Sequence, residues 1–128
     1  MGTLTSKLTL SSTNLTSDAL NLSLSKILTV AGDVRLFKTV LSTTKANLLL
    51  AASYGKSYVY LKNLDTSIVV SVGMDTEADD TIDNDATDIF MTLGPEEFAF
   101  FPWTSTYNLH VDAASGTPTL EVGIFEVA

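Results

Sequence analysis

The sequence predicts an all-β chain folded as a single β-sandwich, jelly-roll-like, with eight or nine short strands. Three observations carry this expectation. Apolar residues recur mainly with period two, the spacing that places side chains on one side of a pleated strand. Clusters of Gly, Pro, Asn, Asp and Ser interrupt that pattern at intervals of roughly ten residues, as in sandwiches and small barrels. No stretch of helical period separates the strands, which disfavours helix-connected parallel architectures.

Taken in order, Leu4, Leu8 and Leu10 alternate with Thr3, Thr5, Lys7 and Thr9, and Leu20, Leu22 and Leu24 alternate with Asn21, Ser23 and Ser25. Each segment reads as a half-buried strand, and the polar cluster 11–18 between them reads as a turn, so the pattern is hairpin-like. Residues 1–17 are expected to form an extended N-terminal arm or edge strand that contacts another subunit, with 18–128 as the sandwich domain. Ala31-Gly32-Asp33 predicts a second turn, ahead of a mixed segment from Arg35 to Leu41. Lys45 to Ala52 is the one place where helix propensity competes, and it is too short for propensity to decide. SYVYLKN and SIVVSV, rich in Val, Ile and Tyr, bracket Asn63-Leu64-Asp65 and predict a hairpin. DIFMTL, EFAFFPW, YNLHVDA and TLEVGIFEV then predict four more strands, separated by Gly94-Pro95, Pro102-Trp103-Thr104 and the turn cluster Ser115-Gly116-Thr117-Pro118.

A chain of 128 residues fits one domain and can bury about two-thirds of its unfolded surface. Its 45% hydrophobic and 17% charged content place it among globular chains and away from disordered ones. With no cysteine there is no disulfide framework, no thiolate zinc site and no cysteine nucleophile. No apolar run is long enough to span a bilayer and the opening lacks an apolar signal core, so a soluble chain without membrane partners is expected. All seven basic residues lie at or before residue 62, where two acids accompany them for a net +5; the rest of the chain carries 13 acids and no Lys or Arg. The total of −8, with a single arginine, disfavours nucleic acid as a partner.

Residues suited to catalysis are few. His110, the one histidine, shares a strand face with Asn108 and Asp112 and reads as a surface histidine beside a carboxylate. Glu96-Glu97 reads as a solvated turn. No phosphate-binding glycine loop or nucleophile-elbow motif occurs, so neither an enzyme nor a cofactor is expected. Asp75 to Asp88 holds seven carboxylates, and Asp75, Glu77, Asp79, Asp80, Asp83 and Asp85 are the candidates for a calcium loop. The EF-hand pattern fails, because Asp80 stands where that loop needs Gly and Ala86 where it needs Glu; a solvated loop, or one facing a basic partner surface, is the plainer reading. In the aromatic run, Phe98 and Phe100 share one face and Phe101 and Trp103 the other, so the strand is either central in a sandwich or turns one face to a partner or a sugar ring. In the last strand Leu120, Val122 and Ile124 make the core face, leaving Phe125 and Val127 beside Glu121. The interface candidates are therefore Leu4, Leu8, Leu10, Phe101, Trp103, Tyr107, Phe125 and Val127.

Three stretches, KLTLSSTNLTSDALNLSLSKILTV, YVYLKNLDTSIVVSVG and LGPEEFAFFPWTSTYNLHVDAASGTPTLEVGIFEV, resemble small β-sandwich virion structural proteins of tailed bacteriophages, particularly marine ones. The likeness is one of style and segment order over nearly the whole chain, without a chemical motif. It implies a structural component of the virion, made in the host cytoplasm, such as a capsid decoration (cement) protein or a tail or fibre adaptor. Its partners would be capsid or tail proteins and its own copies, a trimer being one form. The alternative is a carbohydrate-binding or receptor-binding module of a tail or fibre, stacking sugars on Trp103 and Tyr107.

Overall fold

A computed structural model of the chain describes residues 1–15, 17–74 and 89–127. The described residues are nearly all β. The strands are β1 (Gly2–Ser12), β2 (Leu20–Val40), β3 (Ala46–Leu49), β4 (Ser57–Asn63), β5 (Val70–Met74), β6 (Ile89–Leu93), β7 (Phe98–Trp103), β8 (Leu109–Ala113) and β9 (Thr119–Val127). The helix-prone stretch at 45–52 resolves into β3 followed by a single 3-10 turn, Ala51–Ser53. All strand pairs are antiparallel. One sheet has five strands in the order β1-β2-β9-β4-β7, and the other has four in the order β3-β8-β5-β6.

Alternation explains why the two sheets share one core. Val59 and Leu61 on β4 and Leu120, Val122 and Ile124 on β9 leave no surface to water, and Val70 and Val72 on β5 and Leu109 on β8 do the same from the other sheet. These side chains belong to a single apolar cluster, closed at its margins by Leu41, Leu49, Leu93 and Trp103. Each strand therefore turns every second residue inward, and the fold is sandwich-like.

Two local expectations are corrected. SYVYLKN and SIVVSV are both strands, but they are not a hairpin: β4 pairs with β7 and β9, β5 with β6 and β8. The connection crosses from one sheet to the other because a buried side chain redirects it. Asn63, with no exposed surface, donates from Nδ2 to the carbonyls of Ile68 (2.7 Å), Leu93 (3.2 Å) and Gly94 (3.0 Å), and its Oδ1 accepts the Asp65 N–H at 3.1 Å. The Asp65 carboxylate then accepts the N–H groups of Ser67 and Ile68, each at 2.8 Å. The loop's backbone groups are thus satisfied by these side chains and by backbone bonds from the Leu64 N–H to the Thr119 carbonyl and from the Glu96 N–H to the Asp65 carbonyl, instead of a ladder to the next strand.

The second correction concerns Ala31-Gly32-Asp33, which is a bulge inside a continuous strand and not a chain reversal. Val30 faces Val127 and Val34 faces Phe125, so four residues of β2 span two of β9. β2 is consequently 21 residues long, with a first half paired to β1 and a second half paired to β9.

Removing the Asn63 side chain takes a hydrogen bond from the Ile68 and Leu93 carbonyls and the Asp65 N–H at the sheet-to-sheet crossing, while the Gly94 carbonyl keeps its bond from the Glu97 N–H. Asn63→Ala is expected to lower unfolding stability by about 2–3 kcal/mol, the scale of several buried groups left unpaired, in a denaturant titration; a loss within error of zero overturns the role given to this residue. Asp65 supplies a pH test. Its backbone hydrogen bonds, first from Ser67 and then from Ile68, hold its carboxyl below the usual 3.8. A lowered folded value means stabilisation that is complete above 3.8 and lost as pH falls through the folded value. Asp65→Ala should therefore lose its stability deficit relative to the parent chain as the pH drops below 3.8, read from melting curves between neutral and strongly acidic pH.

Candidate functional site

The chain's most distinctive surface grows from its first thirty residues. β1 and the first half of β2 pair in register from Gly2↔Val30 to Ser12↔Leu20, and this places Leu4 opposite Leu28, Leu8 opposite Leu24 and Leu10 opposite Leu22. Paired residues on antiparallel strands point to the same side, so the leucines line one face of a two-stranded ribbon. The other face carries Thr3, Thr5, Lys7, Thr9, Ser11, Asn21, Ser23, Ser25 and Thr29, with Ile27 as its apolar exception. The ribbon is amphipathic by register.

Both strands were expected to be half-buried, with Leu4, Leu8 and Leu10 turned toward another subunit. The leucine face is covered only at its root, where Leu28 and Val30 are buried and Leu4 is half-buried. Farther out Leu8, Leu10, Leu22 and Leu24 are 44%, 46%, 39% and 56% exposed. The reason lies in the sheet order: β1 has β2 as its only neighbour, and β9 runs beside the second half of β2 alone. β1 is thus an edge strand, and it leaves the body together with the first half of β2 as a hairpin.

A carboxylate sets the elbow where the ribbon joins the body. Glu126 accepts the N–H of Asp33 from the bulge at 3.1 Å and the N–H of Gly55 from the β3–β4 connection at 2.9 Å. A Cβ at Gly32 would sit 2.5 Å from the Glu126 carboxyl carbon, so a side chain there would push this carboxylate out of its place. Charge-assisted bonds of this kind are stronger than neutral ones, so the ribbon's exit is fixed.

The outer face of the five-stranded sheet continues the apolar surface. Phe98 and Phe100 on β7 are 66% and 39% exposed, and the Phe100 ring stacks on Tyr58 with centroids 5.5 Å apart. Leu36 and Val34 on β2 are exposed beside the half-buried Phe125. Between this face and the ribbon runs a groove of about 570 Å³, lined by Leu4, Leu8 and Leu24 on one side and by Tyr60, Phe98, Phe100 and Phe125 on the other. Within it the Tyr60 hydroxyl donates to Glu121 at 2.8 Å. Burial, and then the Glu121 carboxylate, push the Tyr60 phenol above 10.0, so it stays neutral at ordinary pH.

The remaining sequence-picked residues lie as follows. Trp103 is 3% exposed and donates its indole N–H to the Tyr107 carbonyl at 3.1 Å. It packs in the core and presents no ring outward. Phe101 packs against the same core and meets Phe90 edge-on at 5.9 Å. Tyr107 is exposed and Val127, paired with Val30, is half-buried. The exposed aromatics of β7 are Phe98 and Phe100, which the sequence reading left out; their register opposite Lys62 and Tyr60, and not opposite Leu61 and Val59, turns them outward. His110 was read as a surface residue, yet it is 1% exposed, on β8 with Asn47 and Gly73 as its cross-strand neighbours. Glu96 and Glu97 are exposed, and the Glu97 carboxylate closes its own turn by accepting the Gly94 N–H. The calcium-loop candidates at 75–88 lie outside the described residues. Among the described residues no group of three or more His, Asp or Glu is placed to hold a metal ion, and no helix is long and apolar enough to cross a membrane.

Because the outer ribbon's leucines stay about half exposed in one chain, they should add little to its folding. Leu10→Ser and Leu22→Ser are expected to change the stability of the dilute chain by about 0.5 kcal/mol or less each. Leu28→Ala, at the buried root, should cost about 2 kcal/mol or more. Denaturant titration checks the contrast, and equal losses at all three positions contradict it.

Comparison with protein-family models, with curated proteins and with solved structures finds no match to this chain.

Proposed function

We propose that the chain is a non-enzymatic structural protein of a tailed-bacteriophage virion, a capsid decoration or cement protein that binds its own copies and the major shell protein. One observation carries the reading: an ordered, amphipathic ribbon and an aromatic sheet face leave a contiguous apolar surface open in the lone chain. Surfaces of that kind mark places where another macromolecule sits. The resemblance of the three sequence stretches to phage virion proteins supplies the setting, the virion assembled in the host cytoplasm.

The strand order supports a finer reading of the fold as a single jelly-roll sandwich. Without β1, the sheets run β2-β9-β4-β7 and β3-β8-β5-β6, and from β2 to β9 the chain changes sheet at every connection except β5 to β6. That alternation is what two interleaved Greek keys produce. Jelly rolls serve viral capsids and lectins alike, so the fold does not choose between a structural subunit and a sugar binder. The stacked pair of half-buried Tyr58 and exposed Phe100 is what favours the second reading, a carbohydrate-binding tail or fibre module.

The test uses particles of the encoding phage, purified through a density gradient, with an antibody raised against the full chain. The expected result is many copies per particle, with label spread over the shell. Particles free of the chain overturn the reading. Label confined to the tail tip, together with binding on a glycan array that Tyr58→Ala abolishes, selects the carbohydrate module instead.

A further inference from the structure

The ribbon and the groove raise the question of which surface covers them. We infer that it is a second copy of this chain, in a two-fold arrangement where the ribbon of each copy lays its leucine face on the Phe98 and Phe100 row of the other. This inference rests on the reading of the chain as an assembling subunit and names the contact by which its copies meet. Both halves of the contact are already present on one chain. Leu8, Leu10, Leu22 and Leu24 form a half-exposed apolar row bounded by Ser6 and Lys26 on the same face, and Phe98 and Phe100 form another across the groove on the same side of the same sheet. A two-fold axis requires this kind of self-complementary pair, in which each copy gives what the other receives.

Area decides between a reciprocal and a one-way contact. From Ser6↔Lys26 to Ser12↔Leu20 the ribbon has seven residue pairs. At about 3.4 Å per residue and a width of about 10 Å for two strands, its face covers about 240 Å². A reciprocal exchange buries that face and the area beneath it twice, about 1,000 Å² in all, the size that a specific interface must reach. A one-way contact buries half as much and falls in the range of adventitious packing. The exchange also needs no new ordering, because the ribbon is already held by its ladder to β2 and by the Glu126 elbow.

The experiment is sedimentation equilibrium on the full chain and on two double variants, the ribbon variant Leu10→Ser with Leu22→Ser and the receiving variant Phe98→Ser with Phe100→Ser. The parent chain should be dimeric at about 100 μM, and each variant should weaken the dimer about thirty-fold or more while keeping a cooperative melt. A mixture of the two variants retains one intact contact of the two, and it should associate more tightly than either variant alone. A parent chain that is monomeric at this concentration, or trimeric, overturns the inference. So does a receiving variant that dimerises like the parent, since that result means the ribbons pack on one another. The virion reading is scored separately on particles: a monomeric chain that decorates particles overturns the exchange alone, whereas a dimer never found on particles overturns the virion setting alone.

Discussion

The register of β2 against β9 is the constraint from which the rest of the molecule follows. The second half of β2 turns Arg35, Phe37 and Thr39 toward the side on which Ile124, Val122 and Leu120 build the core, because those residues face one another across the ladder. The first half continues past the bulge into the ribbon. Side-chain direction in a strand repeats every two residues, so an insertion of one residue would have turned the ribbon over. The bulge adds an even number: four residues of β2 against two of β9. Leu20, Leu22, Leu24, Leu28 and Val30 therefore stay on the same outer side as Val34 and Leu36. The carboxylate of Glu126, tied to the backbone at Asp33 and Gly55, keeps that bulge in place and with it the direction of every ribbon leucine.

The strands themselves were legible in the sequence, and their partners were not. Alternation of Val, Ile, Leu and Tyr with polar residues records that a segment is pleated with one side covered, and each such segment between 57 and 74 and between 89 and 127 is a strand. Pairing is a long-range property. β4 and β5 are neighbours in sequence and carry the residues of a hairpin, yet they face each other across the core in different sheets. What separates them is a buried amide: Asn63 spends its donors on Ile68, Leu93 and Gly94, two of which lie thirty residues farther along the chain. Nothing in the local composition of SYVYLKNLD announces those acceptors.

The surface was legible as chemistry and misread as burial. Alternating leucines marked two half-buried strands without saying what covers them, because amphipathicity reports that a face is apolar and is silent on its partner. Leu22 and Leu24 remain 39% and 56% exposed. His110 is the opposite case: polar alternation suggested exposure, but on the central strand β8 it is buried. For β7, both faces are aromatic, so only the register to β4 could tell that Trp103 and Phe101 go inward and Phe98 and Phe100 outward.

An isolated two-stranded hairpin is marginal in water, and this ribbon would be no exception if it were attached by one strand end. It is attached through a shared strand, a buried root of Leu28 and Val30, and a carboxylate clamp at the elbow. Order in the ribbon is therefore supplied by backbone pairing and by its root, while the leucines that water still reaches add little to the folding of one chain. Fully covering a leucine is worth about 1.5–3 kcal/mol, and several of them remain about half-covered here. Folding has left that free energy unused, and because the backbone beneath it is already ordered, association can draw on it without the entropy cost that a disordered arm would bring.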